Sequence, residues 1–318
     1  MTLIIRSLLV TALLLAGYHF LLPQLPGQVV IPQGINQDNQ IKMQEFVYAR
    51  ATGYPVVIVG SSLAAKLRPY ALPANTYNLA FRGQSVFEGL EILKRTGQAP
   101  KLILVEVDVL DRAPNAATTA TLFNPVMHPL RTALPLLRER HQPLNQLFGL
   151  GFAALERLRP AAAARIREKV GAQAATPAPV SAAAFQEAPA SAQDAALALK
   201  IEQSMRQEFA QLPDAVFTRN IGALRGYVDY FAGRGSRVVF FEMPISAAAC
   251  QSPRLQYMRR QLQGAFPPAR FAYLPQPDCQ AYTTTDGMHL SDASALRYSH
   301  ELTRQLSSLL PPPLVAQR

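Results

Sequence analysis

Hydrophobic residues along this chain fall into five short, nearly continuous runs separated by longer stretches of helical period. The runs are 55–59, 76–80, 102–109, 237–243 and 270–274, each bounded by turn-forming residues. Apolar runs with little alternation suit strands whose sheet is covered on both faces, the usual setting of a parallel sheet. Helical patterns lie between them: 62–66 opens one, 85–95 forms another, 220–232 leads into a Gly-Arg-Gly turn, and 293–309 follows the last run. Alternating strands and helices predict an α/β three-layer sandwich around a five-stranded parallel sheet.

Two segments depart from that alternation. Residues 3–22 are apolar except for Arg6, Ser7, Thr11 and His19, and about 20 such residues cross a bilayer as a helix. Arg6 near one end suits a cytoplasmic N-terminus. The run closes on Ala16-Gly17-Tyr18-His19-Phe20-Leu21-Leu22-Pro23, with neither an Ala-x-Ala site nor a lipobox cysteine. That favours an uncleaved anchor over a cleaved signal peptide, and either one exports the remainder. Residues 1–22 are thus expected to anchor the chain in the membrane, and 23–51 to form a Pro/Gly/Gln-rich stalk (23–39) with a short lead-in helix (40–51). The second departure, 113–214, divides the α/β domain into 52–112 and 215–310. Up to residue 169 it mixes prolines with leucine-rich amphipathic pieces at 134–138 and 147–158. Residues 171–196 are rich in Ala, Pro, Ser and Gln and too poor in large apolar groups to pack. A helical insertion with a flexible segment is expected there. Such an insertion would overlie the carboxyl ends of the strands, where open α/β sheets bind ligands, as a lid or as surface ornament.

The 318 residues suffice for one substantial core. Thirty-one Lys and Arg against 21 Asp and Glu give a net charge of +10, spread along the chain instead of massed in a block. That reads as a basic solvated surface or an attraction to anionic lipid or glycan. With no zinc-type ligand spacing, no Walker loop and no RNA-binding aromatic motif, neither a metal site nor nucleic-acid binding is expected, and no cofactor is implied. The two cysteines, Cys250 and Cys279, are a candidate disulfide if the domain is exported; two unrelated buried thiols are the other reading. Their spacing excludes CxxC redox chemistry.

Three motifs carry chemistry. Val56-Val57-Ile58-Val59-Gly60-Ser61-Ser62-Leu63 runs from a buried strand through a glycine into two serines and an expected helix. A serine at a helix N-terminus has free N–H groups beside it to receive an oxyanion; otherwise Ser61 or Ser62 is simply an N-cap. In Tyr77-Asn78-Leu79-Ala80-Phe81-Arg82-Gly83-Gln84-Ser85, a glycine soon after a strand lets its backbone N–H approach a ligand, or is an ordinary turn glycine. In Thr283-Thr284-Thr285-Asp286-Gly287-Met288-His289-Leu290-Ser291, an acid three residues before one of only five histidines can hold the imidazole's tautomer. The alternative is an Asp-Gly turn with an exposed histidine. Serine, acid, histidine is also the chain order of α/β-hydrolases, but Gly60-Ser61-Ser62-Leu63-Ala64 misses their Gly-x-Ser-x-Gly elbow.

An early Gly-x-Ser, an Asn-x-x-x-x-Gly block after the second strand and a late Asp-x-x-His together resemble the SGNH (GDSL-type) hydrolase superfamily, over 55–112 and 216–309. The resemblance implies Ser62 as nucleophile, His289 as base, Asp286 as its orienter, and the Ser62 and Gly83 N–H groups as oxyanion donors. Ser61 stands where the family usually has an aspartate. Its third block usually ends in Gly-x-Asn-Asp, whereas Val105-Glu106-Val107-Asp108-Val109-Leu110-Asp111 puts Leu110 in the asparagine's place. Losing one oxyanion donor costs on the order of 10²–10³ in rate, so either another donor serves, with Arg82 or a group from the insertion as candidates, or the protein is a weak or specialised catalyst. That degenerate block, and Phe240-Phe241-Glu242-Met243-Pro244 ending a strand in Met-Pro, resemble the membrane-anchored branch with the alginate O-acetylation and teichoic-acid D-alanyl transfer proteins. The implied function is O-acetyl transfer to an exopolysaccharide or cell-envelope glycan, on the periplasmic side of the inner membrane. The implied partners are the polysaccharide acceptor and a membrane-bound O-acyltransferase supplying acyl groups. A carbohydrate or lipid esterase, and a non-catalytic glycan-binding or assembly protein, are the alternatives.

Overall fold

A computed structural model describes residues 2–22, 34–48, 53–163, 199–200, 203–204, 206–213 and 215–309. Residues 23–33 of the expected stalk and the expected flexible segment 171–196 lie outside them. In chain order the principal elements are α1 (Thr2–Leu21), α2 (Ile35–Tyr48), β1 (Val56–Gly60), β2 (Thr76–Ala80), α3 (Val86–Arg95), β3 (Leu102–Glu106), α4 (Ala116–Leu122), α5 (Met127–Ala133), α6 (Pro143–Leu158), α7 (Ala215–Ala232), β4 (Arg237–Phe241), α8 (Ala247–Cys250), α9 (Pro253–Ala265), β5 (Ala272–Tyr273) and α10 (Asp292–Ser307). They form two compact units, one of Met1–Ala51 with Ala120–Pro177, the other of Thr52–Thr119 with Ala178–Arg318.

The second unit is the α/β domain. Its five strands are all parallel, in the order β2-β1-β3-β4-β5. Val56 pairs with Thr76 on one side and Leu102 on the other, Leu104 with Val239, and Val239 with Ala272. Every residue of β1 and β3 is buried, which is why those runs are apolar without alternation. Helices cover the sheet on both faces, making three layers. Tyr227 of α7 donates to Glu91 of α3 at 2.7 Å, and Arg225 of α7 stacks on the Phe266 ring that follows α9. Across the sheet, α10 holds the turn Pro69–Ala71 through Thr303 Oγ1 to the Ala71 carbonyl at 2.6 Å. The core centres on Phe240, Phe231, Leu224, Leu93, Tyr298 and Leu302, none more than 1 % exposed. Ser85 and Glu88 form a reciprocal capping box that starts α3. Gly89 of α3 rests on β1 and β2 so closely that a Cβ there would meet Val59 Cγ1 at 2.8 Å and the Leu79 carbonyl at 2.9 Å.

Several boundaries differ from those the apolar runs suggest. The third strand stops at Glu106 instead of 109, because the chain turns with Arg112 N–H bonding the Val109 carbonyl. The fourth stops at Phe241 instead of 243, because Met243 N–H leaves the ladder and donates to the Asp108 carboxylate at 2.7 Å. The fifth keeps only Ala272–Tyr273. The helix expected to open at 62 is a single 3₁₀ turn, Ala64–Lys66: Arg68 precedes Pro69, and a pre-proline residue is pushed out of the α region, here to ψ 112°. Helix α9, which carries few apolar residues, escapes the periodicity; its buried Arg254, Leu255, Met258 and Leu262 make a narrow stripe.

The first unit is helical. Helix α1 is long and apolar enough to span a membrane, and none of its residues is buried. At 1.5 Å per residue its 20 residues reach about 30 Å, one hydrocarbon thickness. Residues 35–39, expected in the stalk, already belong to α2, whose Ile41, Met43 and Phe46 are buried. That helix packs on the early part of the 113–214 segment: Gln44 Oε1 accepts from Glu139 N–H at 2.8 Å, Arg140 pairs with Glu45, and the Tyr48 hydroxyl meets His128 Nδ1 at 2.9 Å. At the C-terminal end of α1, the Tyr18 hydroxyl donates to the His141 carbonyl.

Candidate active site

The carboxyl ends of β1, β2 and β3 bring the first two motifs together at the point where strand order reverses, the usual ligand crevice of an open α/β sheet. β1 ends at Gly60, and its missing side chain is required: a Cβ there would lie 2.5 Å from Glu106 Oε2 and 2.8 Å from Ala64 Cβ. The two serines that follow have different surroundings. Ser61 is fully buried; its hydroxyl accepts from Leu63 N–H at 3.1 Å and donates to Glu106 at 2.9 Å. Ser62 is half-buried, and its hydroxyl faces the imidazole.

That imidazole sits on a closed loop before α10. Thr284 and Leu290 form an antiparallel bridge, Thr285 N–H bonds the His289 carbonyl at 2.8 Å, and Gly287 turns the chain at φ 84°. Asp286 Oδ1 accepts from the N–H groups of Met288 at 3.0 Å and His289 at 2.7 Å. Met288 and Leu290 are buried on either side of His289, so two apolar plugs aim the histidine outward. Ser291 caps α10, and Asp292 pairs with Arg68, whose own N–H donates to Ser299 Oγ of that helix at 2.8 Å. The serine loop and the histidine loop are therefore held against one helix. Ser246 N–H also bonds the Gly287 carbonyl at 2.9 Å.

The outcome is a continuous hydrogen-bonded row. His289 Nε2 lies 2.9 Å from Ser62 Oγ, and His289 Nδ1 lies 2.7 Å from Asp286 Oδ2. Burial raises the Asp286 carboxyl, but the hydrogen bonds from the His289 ring and from the His289 and Met288 backbone outweigh it, taking the pKa down to about 2. A carboxylate kept ionised there favours the tautomer with hydrogen on Nδ1, leaving Nε2 as the acceptor toward the serine.

The other candidates are placed as follows. Gly83 is exposed on the turn after β2, with φ 73° in the left-handed region that favours glycine, and Arg82 is half-buried beside it. Leu110 is buried, 1 % exposed, and its carbonyl is held by Asn220 Nδ2 at 2.7 Å; its side chain belongs to the core. The helix N-terminus expected behind Ser62 is a single 3₁₀ turn, too short to carry a macrodipole. Cys250 and Cys279 are joined by a disulfide. Among the described residues, no group of three or more His, Cys, Asp or Glu is arranged to hold a metal ion.

Sequence reasoning passed over Glu106. Its Oε2 accepts from Ser61 N–H at 2.7 Å and Ala64 N–H at 3.2 Å, and the Ser61 hydroxyl bonds the same carboxyl. Burial raises its pKa, opposed by those donors. Asp108, two residues on, is 2 % exposed, and its Oδ1 has no partner among the described residues. Burial first, then the charges of Glu106 and Glu242, push its carboxyl well above the usual aspartate range. Two acids inside an apolar strand run were the available signal, because buried acids persist only where something holds them. No protein-family model, curated protein or solved structure matches this chain.

Proposed function

We propose that this chain is a membrane-anchored serine acyl-transfer enzyme of SGNH type, moving an acetyl group onto a hydroxyl of an exported glycan. The observation that carries the reading is the row Ser62 Oγ, His289 Nε2, His289 Nδ1, Asp286 Oδ2, with contacts of 2.9 and 2.7 Å. Those distances lie within the reach that base-assisted nucleophilic attack requires. The apolar N-terminal helix supports placement at a membrane. The glycan acceptor and the acyl-supplying membrane partner rest on the resemblance to the anchored SGNH branch.

In the proposed reaction, His289 Nε2 takes the Ser62 proton while Oγ bonds the acyl carbonyl carbon. The resulting oxyanion is received by the Ser62 and Gly83 N–H groups. Collapse breaks the bond to the leaving group, which takes the proton back from His289, and Ser62 holds the acyl ester. A sugar hydroxyl then gives its proton to Nε2, attacks the ester and leaves acylated, and the proton returns to Ser62. Water in place of the sugar makes the same site an esterase.

The buried Leu110, in the position of a usual oxyanion donor, favours a second reading, a glycan-binding or assembly protein without catalysis. One experiment separates all three. The full-length protein in bilayers is given a fluorophosphonate probe, then an activated acetyl ester with and without an oligosaccharide. Labelling that vanishes in Ser62→Ala, with acetylated oligosaccharide exceeding free acetate, is the expected result. Acetate alone selects the esterase. An unlabelled wild-type chain selects the non-catalytic reading.

A further inference from the structure

We propose that the helical unit carrying α1 lies on the bilayer through two apolar helix faces beside the anchor, so that this protein is an interfacial as well as an anchored one. On α6, Leu144, Leu147, Phe148, Leu150 and Leu158 are exposed, Leu147 at 65 % and Leu158 at 81 %. The opposite side of the same helix, at Asn145, Gly149 and Phe152, is buried. The exposed side is thus apolar and the inner side is already satisfied, the reverse of a helix on a water-facing surface. Val126, Leu130 and Leu134 repeat the pattern along α5 and its two caps, exposed at 64 %, 40 % and 38 %.

What covers these faces follows from their attachment. The turns Pro135–Leu137 and Glu139–His141 join α5 to α6. The first packs on α1, and the second receives the Tyr18 hydroxyl on the His141 carbonyl. Tyr18 is three residues from the end of a helix that needs its whole length to cross a bilayer, so both turns stand at headgroup level. Helix α6 starts two residues after His141. An apolar face beginning at that height meets acyl chains when it lies about 5–10 Å into the interface. Exposed Arg157 and Arg159 at the far end of α6 suit anionic headgroups. The proposal rests on α1 being in a membrane and is independent of the catalytic reading.

The test uses the full-length protein, whose own cysteines are joined and leave introduced thiols free for labelling. Leu13→Cys, Leu130→Cys and Leu147→Cys carry an environment-sensitive fluorophore in phosphatidylcholine bilayers with and without phosphatidylglycerol. Quenching by lipid-borne spin labels is compared with quenching by aqueous iodide. The expected result is lipid quenching at all three positions, deep at 13 and shallow at 130 and 147, with iodide shielding. Arg157→Glu with Arg159→Glu is expected to restore iodide access at 147 in the phosphatidylglycerol bilayers. Lipid quenching at 13 together with iodide access at 130 and 147 overturns the proposal and leaves the anchor standing. Shielding at 130 and 147 from both quenchers, the sign of a protein partner or self-association, overturns it too. Absence of lipid quenching at 13 overturns the anchor and the proposal with it.

Discussion

At the scale of single residues, the proposed acyl transfer depends on which atom carries each proton. Asp286 accepts three hydrogen bonds from two residues. Asp286→Asn keeps the backbone contacts through its amide oxygen but presents an NH₂ to Nδ1. The imidazole must then carry its hydrogen on Nε2, facing Ser62, and cannot act as base. A fall in kcat of about 10³–10⁴-fold is expected, measured with the activated ester, together with a lower melting temperature at neutral pH, because the amide loses the stabilisation that the ionised carboxylate gains on folding. Because the wild-type carboxyl sits at about 2, below its ordinary range, its stabilising contribution is present above the usual aspartate pKa and is lost only as pH falls through about 2. It therefore does not set the acid limb of activity. Asp108 has the opposite sign. Its carboxyl is raised well above the ordinary range, so the native state binds that proton more tightly than the unfolded chain does. Its stability contribution is complete below the unfolded pKa and falls as pH rises through the usual aspartate range and beyond. Asp108→Asn should raise thermal stability more at pH 8 than at pH 4, as read by denaturation at both values; an equal shift at both would refute the assignment.

At the scale of elements, the serine loop is shaped more by β3 than by its own turn. Glu106, at the end of β3, gathers the Ser61 N–H, the Ser61 hydroxyl and the Ala64 N–H. Removing it orphans buried donors, each costing about 1–3 kcal/mol. Glu106→Ala should therefore lower stability and also cut kcat about 10²-fold, the cost of a nucleophile displaced by roughly 1 Å. Glu106→Gln can accept both N–H groups with its oxygen and donate to Ser61 Oγ with its amide. Recovery of most of kcat in the Gln variant is the result that distinguishes positioning from simple packing. If Gln fares no better than Ala in kcat while restoring the melting temperature, Glu106 does not position the nucleophile.

At the scale of the whole molecule, the disulfide closes a loop of sequence separation 29 that contains α9 and β5. It ties α8 to the turn Cys279–Ala281. A two-residue edge strand such as β5 contributes little pairing of its own, so the cross-link matters there. Reduction is expected to lower stability by about 3 kcal/mol through the freed unfolded chain, read from urea denaturation with and without dithiothreitol. The parallel order β2-β1-β3-β4-β5 is what brings β1 and β3 side by side, and with them Ser61 and Glu106.

Much of this was legible in the residues themselves. Burial on both faces leaves a continuous apolar run, so the runs at 55–59 and 102–109 point to β1 and β3 as strands of a covered parallel sheet. An acid, a glycine and a histidine in one short loop predict their own local geometry, because Asp286 reaches His289 within a single turn. Periodicity cannot say where an element stops when a tertiary contact ends it, as the Asp108 bond to Met243 N–H does for β4. Nor does it separate Ser61 from Ser62, which differ only in what stands opposite them: a carboxylate from β3 for one, an imidazole 227 residues away for the other. Local sequence sets which faces are apolar and which turns close. Strand order and register, fixed by packing over long separations, set which of those turns meet.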